Sequence, residues 1–403
     1  MTEHRDDIWN DNDGEPPPKQ PRRLRRFLIF ALTLVLVLAV VLLAAWRDGT
    51  GFDALHRFFS YGAVESETDG GYHYDASANN RFALCDKALV VLSETALKVL
   101  DESGREVYST PVKMKAPALA SGGGRAVAYD VGGTALYVVD QNGLCLSLTA
   151  EEQTPFIAAT LNADGWLAVT KEEKGYKGAV YVYDAATDPV HVRDADIEPV
   201  FIFHSSTRFV TDAYVSDDNT TLAAVTLGQE NSVFVSNIVL YDLTIKDPIA
   251  NYDISGGLVL DVGEQGGRLI AVSDTCLTLA DWAGIPQASY AYSGAYLRGY
   301  AFSGDNFTAL LLNRYQSGSV GRLVTVGADG AELASLDVNE EILSVSAAGR
   351  YLAVLYADSL TIYNRELQVY ATLTGTDYAK EVLMRGDGSA LLLSSEKAHL
   401  FLP

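Results

Sequence analysis

Two hydrophobic rhythms divide this chain. From Phe27 to Trp46 the run FLIFALTLVLVLAVVLLAAW is apolar, with Thr33 its one weakly polar residue. At about 1.5 Å rise per residue this run spans about 30 Å, the thickness of a bilayer's hydrocarbon core, and so predicts one transmembrane helix. From about residue 72 the rhythm changes. Short apolar strands, often containing Ala, follow polar turns: ALVVLSE (88–94), SGGGRAVAYD (121–130), NADGWLAVT (162–170), SDDNTTLAAVT (216–226), GEQGGRLIAVS (263–273), SGDNFTALLL (303–312), SAAGRYLAVLY (346–356) and RGDGSALLLS (385–394).

With Val90, Ala128, Ala168, Ala224, Ala271, Ala309, Ala353 and Ala390 as markers, the steps are 38, 40, 56, 47, 38, 44 and 37 residues. Such a period fits four short strands per repeat, the unit of a β-propeller blade. A second apolar strand commonly follows each marker strand and ends at Asp or Asn, as in AVYVYDAATDPVHV (179–192) and SLTIYNRELQVYATL (359–373). Small Ala on an inner strand lets blades converge toward a central channel, and Gly, Asp and Asn suit the tight turns. The last repeat has three strands, KEVLM, SALLLS and KAHLFLP, so GYHYDA (71–76) is expected to close the ring as the fourth. The fold class is therefore all-β, a propeller of eight four-stranded blades preceded by one transmembrane α-helix. Seven blades is the alternative, because the 56-residue step is irregular.

The domains follow: a disordered cytoplasmic tail (1–26), the span (27–46), a juxtamembrane stalk (47–70) and an extracytoplasmic propeller (71–403). Lys19, Arg22, Arg23, Arg25 and Arg26 crowd the N-terminal side of the span. The positive-inside bias puts that side in the cytoplasm and the bulk of the chain outside a cell membrane. Phe27 and Trp46 bound the anchor, Trp46 suiting the interfacial belt. The run exceeds the apolar core of a cleaved signal peptide, and no convincing A-x-A site follows it. FDALHRFFSY (52–61) has roughly helical apolar spacing, for a short helix on the membrane or against the propeller.

Charge sharpens this picture. The net charge is −22, and because the tail's acids and bases balance, all of it falls on residues 47–403. Such a domain repels phosphate backbones, which excludes direct nucleic-acid binding. Cys85, Cys145 and Cys276 lie in predicted strands without CxxC or Cys/His spacing, so they read as small buried residues and no zinc site is assigned.

Membrane-anchored propellers of a domain-of-unknown-function family from Gram-positive anaerobes resemble this chain in the basic flank, the span and the Ala-bearing repeats. That resemblance implies an architecture and no activity. Eight-bladed quinoprotein dehydrogenases and the related outer-membrane assembly scaffold are similar more distantly. The dehydrogenases' repeated tryptophan motif is absent, with only Trp166 and Trp282 beyond the anchor, and no lipidated Cys follows the span.

No catalytic constellation, metal site or cofactor is assigned. His56, His73, His191, His204 and His399 are scattered, and Gly122-Gly123-Gly124 lies between strands as a blade turn. The Asp-rich turns at 217–219, 305–306 and 387–388 lack full EF-hand spacing. Arg385-Gly386-Asp387 fills a predicted turn. The Tyr-rich segment SYAYSGAYLRGYAF is the candidate ligand or partner surface, through Tyr290, Tyr292, Tyr296 and Tyr300. Three functions are open: a non-catalytic binding or scaffolding platform for an envelope protein or glycan, a ligand or glycan sensor, and an extracytoplasmic hydrolase or lyase with carboxylates at the channel mouth.

Overall fold

Short apolar runs separated by turn residues form strands whose two faces both need cover, and the fold supplies that cover by packing sheet against sheet. The computed structural model describes residues 31–37, 71–75, 77, 79–184, 192–193, 197–254, 257–304, 306–376 and 378–403. Residues 31–37 are helical, and no helix among the described residues is long and apolar enough to cross a membrane. The rest of the expected 27–46 span lies outside the described residues, Phe27 and Trp46 included. So do the 1–26 tail with Arg22, Arg23, Arg25 and Arg26, and the 47–70 stalk.

Residues 72–401 build eight antiparallel blades in chain order. Blade 1 covers residues 81–111, blade 2 117–149, blade 3 156–205 and blade 4 209–254. Blade 5 covers 259–291, blade 6 296–338, blade 7 342–374 and blade 8 381–401. Seven blades are continuous in sequence. The eighth joins Glu381–Met384, Ala390–Leu393 and Lys397–Phe401 to Tyr72–His73, with Tyr72 opposite Ala398. This is the closure the sequence implied, and it covers the edge that the last repeat would otherwise expose.

The marker residues all lie on the second strand from the axis. Second and third strands are the most buried: all five residues of Ala88–Leu92 and all seven of Phe307–Asn313 are buried. Each of eight apolar clusters joins two neighbouring blades. Leu92 and Val99 meet Ala126 and Val139 across blades 1 and 2, and Tyr72 and Leu89 meet Leu391 and Leu393 across the closure. Every such Leu or Val contributes about 1.5–3 kcal/mol by leaving water. The core is thus a ring of inter-blade layers.

The irregular steps have simple causes. Residues 184–200 intervene between the third strand of blade 3, Gly178–Tyr183, and its outer strand, Phe201–Ser205. Within that stretch Val192–Arg193 pairs in parallel with the outer strand of blade 2, making that sheet five-stranded. Blade 4 carries a long hairpin, Thr221–Glu230 and Val233–Asp242, turned by Asn231 and Ser232 at φ 50° and 65°.

Alternating strand directions give the ring two unlike faces. Turns between first and second strands and between third and fourth strands lie on one, the turn face. Loops between second and third strands, and the connections between blades, lie on the other, the loop face. The chain enters at Tyr72 on the turn face.

Candidate binding sites on the propeller

Neighbouring blades are stitched together on the turn face. Asn162, 1% exposed, donates from Nδ2 to the Ser216 carbonyl (2.9 Å) and to Asn219 Oδ1 (2.7 Å). Its Oδ1 accepts from the backbone N–H of Asp164 and Trp166. Asp217 takes the Tyr214 hydroxyl (3.0 Å) and the Ala163 N–H, while its own N–H donates to Glu264 (2.8 Å). The Asp218 carboxylate is engaged by Ser216 and Thr220. These Asp-rich turn oxygens are thus spent on turn and inter-blade hydrogen bonds.

The three-glycine turn packs against blade 3. A Cβ on Gly123 (φ +57°) would lie 2.3 Å from the Gly165 nitrogen, so only glycine fits there. Arg385, 5% exposed, donates inward to the Lys87 carbonyl and the Tyr72 hydroxyl. The Arg385-Gly386-Asp387 turn therefore fastens the closure and does not display its arginine.

On the loop face the innermost strands begin with bulges. In blades 3 to 7 the pairing skips Ile157, Thr211, Leu260, Arg298 and Leu343 in turn. A bulge re-aims the side chain it inserts. Phe209, Leu258, Leu260, Tyr296 and Leu343, at the loop-face ends of four successive innermost strands, are between 38% and 57% exposed. Val233 and Phe234, at the tip of the long hairpin of blade 4, are also exposed on this face. Exposed apolar side chains grouped this way mark interaction surfaces.

The residues after two of these bulges form a buried acid pair. Asp212 and Asp261 each accept, through Oδ1, the N–H of the following residue at 2.8 Å, and Tyr300 donates to Asp261 Oδ2 at 3.0 Å. Both residues are half-buried by surface exposure, yet protein surrounds their carboxyls closely. Burial, with the nearby charge of Asp261 adding to it, holds the Asp212 carboxyl well above the usual range. Burial pushes Asp261 up to about 6 against the opposing hydrogen bond from Tyr300. The same burial lifts the Tyr129 hydroxyl to about 12, and those of Tyr214 and Tyr300 further.

The four tyrosines singled out from sequence do not share one platform. Tyr300 sits on Asp261, whereas Tyr296 joins the exposed apolar arc. Tyr290 donates to Glu332 at 2.7 Å, across the outer strands of blades 5 and 6. Tyr292 is buried and borders a cavity of about 520 Å³ at the loop-face end of blade 6. Ser293, Gly294, Arg314, Arg322, Asp337 and Asn339 also line that cavity. A second recess, about 750 Å³, runs along the rim between blade 3 and blade 4, past Val200, Ile202, His204 and Ile245.

Sequence reading missed the bulge residues and the acid pair. Asp212 and Asp261 are 49 positions apart, close to one blade period, and this was the available signal. All three cysteines are buried and free, in the manner of small core residues.

A family model described as a family of unknown function, DUF5711, matches residues 61–397. No curated protein matches the chain. Among solved structures, the C-terminal WD40 domain of Sif2 is similar over 83% of this chain and 100% of its own, at TM-score 0.55 and 13% identity. The computationally designed Ika8 protein is similar over 83% and 98%, at TM-score 0.56 and 13% identity. BamB from Moraxella catarrhalis aligns over 82% and 100%, at TM-score 0.49 and 12% identity. At such identities the first two likenesses establish the fold alone.

Proposed function

This chain belongs to the DUF5711 family, and we propose that it is a non-catalytic binding or scaffolding platform held at the outer surface of a cell membrane by its Phe27–Trp46 segment. One observation carries the binding role: the exposed apolar arc of Phe209, Leu258, Leu260, Tyr296 and Leu343 on the loop face. A partner with apolar anchor side chains, an envelope protein, matches that surface. The anchor and its direction rest on the apolar run and on Arg22, Arg23, Arg25 and Arg26 before it. Resemblance to membrane-anchored propellers of Gram-positive anaerobes supports the same placement. The surplus of acids speaks against nucleic acid as partner.

The acid pair bears on the hydrolase alternative. Asp261 acts electrostatically on Asp212 from the neighbouring blade, but each carboxyl spends one oxygen on its own strand's bulge and burial favours its neutral form. We read them as part of the inner wall.

The test is crosslinking and mass spectrometry on envelopes carrying either the full-length protein or its Leu260→Glu/Leu343→Glu variant. The wild type is expected to enrich an envelope protein that the variant loses while keeping its melting temperature. Equal enrichment by both would move the contact off this face. Protease added to intact cells should digest the 71–403 region; protection would overturn the outward orientation.

A further inference from the structure

The loop-face cavity of blade 6 stands apart from the apolar arc in both shape and charge. Its walls are built before any ligand arrives. Residues 292–295 turn tightly, with Ser293 and Gly294 at φ 53° and 85° and the Ala295 N–H on the Tyr292 carbonyl at 3.0 Å. The hairpin opposite is closed by the Arg314 N–H on the Val320 carbonyl (2.9 Å) and braced by Asn313 Nδ2 on the Gly318 carbonyl (2.6 Å). Leu312, Val320 and Ala295 supply an apolar wall. The volume, about 520 Å³, falls in the range of small-molecule sites.

Several of its polar groups are unspent. Among the described residues the Arg314 guanidinium has no hydrogen bond or ion pair, and neither does the Asp337 carboxylate on the neighbouring strand. Arg322 is held loosely, 3.8 Å from Glu332 and 3.5 Å from the Tyr290 hydroxyl, with its remaining donors available. Tyr292, 3% exposed, has a hydroxyl without a partner among the described residues. Two guanidinium groups line the cavity against one carboxylate, in a chain whose net charge is −22. The planar guanidinium fork matches a carboxylate, and Asp337 with Asn339 can take hydrogen-bond donors beside it.

We propose that this cavity binds a small ligand bearing a carboxylate flanked by hydrogen-bond donors, with Arg314 and Arg322 on the carboxylate and Asp337 on the donors. Two sources carry that chemistry, a uronic acid of a saccharide and an amino acid or peptide terminus. This goes beyond the platform reading and does not require it.

The test is calorimetric titration of the full-length protein in detergent. One set of probes holds glucuronate- and galacturonate-containing disaccharides with their neutral counterparts, the other free amino acids and dipeptides with their C-terminal amides. A carboxylated probe is expected to bind at least about tenfold more tightly than its neutral counterpart. Arg314→Ala and Arg322→Ala should each weaken it about tenfold at unchanged melting temperature. Binding confined to the uronate arm identifies a saccharide ligand, and binding confined to the other arm a peptide-like one. No binding in either arm at millimolar probe overturns the proposal, as does full affinity in the folded Arg314→Ala variant. Loss of partner crosslinking in Leu260→Glu/Leu343→Glu would leave these titrations unchanged, so the two readings fail separately.

Discussion

The two faces of the propeller spend their polar groups differently. On the turn face, side chains of one blade hydrogen-bond the next: Asn162 reaches blade 4, Asp217 reaches blade 5, and Arg385 reaches across the closure. Loop-face residues include exposed Phe209, Leu260 and Phe234, and the open charges of Arg314 and Asp337. A face whose donors and acceptors satisfy one another holds the ring together. The turn face also exposes apolar residues, Ile245, Ile285 and Val369, but on the turns to outer strands, whereas the loop face gathers its own on innermost strands beside open charge, and that gathering gives it the capacity to bind.

The sharpest way to break this contrast is to substitute matched glycines. Gly123→Ala on the turn face collides with the Gly165 backbone and should cost on the order of 3 kcal/mol. Gly318→Ala in the blade 6 hairpin meets nothing within 4 Å at φ +105°, and should cost only about 1 kcal/mol for its backbone conformation. Urea midpoints measure both, and equal losses would erase the distinction.

Next in size is Asn162→Ala, which removes two donated and two accepted hydrogen bonds from a buried site. A loss of about 2 kcal/mol is expected in the same assay. A change below about 0.5 kcal/mol would mean that the stitch is dispensable.

The acid pair predicts a pH dependence. Because the folded-state pKa of Asp261 is raised to about 6, its ionisation penalty is absent below the unfolded value near 4. It grows as pH rises through that window and is complete above it. Burial shifts Asp212 in the same direction. Melting temperature should therefore fall between about pH 4 and pH 6, and Asp261→Asn should gain about 1–2 kcal/mol at pH 8 and flatten the profile. A variant less stable at pH 8 would reverse the sign. The smallest expected effect is on the loop face: Arg314→Ala should change stability by less than about 0.5 kcal/mol, and a larger loss would make that arginine structural.

Much of the ring was legible in the sequence, because each blade repeats one burial pattern. Marker residues recur on second strands, and GYHYDA was recognisable as the missing strand of blade 8 by counting. The turn role of Gly122-Gly123-Gly124 was legible for a similar reason, since glycine there answers a local backbone demand. Function sites were less so. Alternating tyrosines in a strand suggested one surface, but the bulge at Arg298 and the turn at Ser293–Gly294 send Tyr290, Tyr292, Tyr296 and Tyr300 to different environments. Bulges leave no local pattern of their own, so beyond the 49-residue spacing of Asp212 and Asp261 the arc from Phe209 to Leu343 and the acid pair emerge only when neighbouring blades are assembled.

The most direct test of the loop face as the binding face is site-specific photocrosslinking in intact cells, with the crosslinker placed at Leu260 or, on the turn face, at Asp329. One dominant envelope-protein adduct is expected from position 260 and none from position 329. Adducts from position 329 alone, or the same adduct from both, would contradict it.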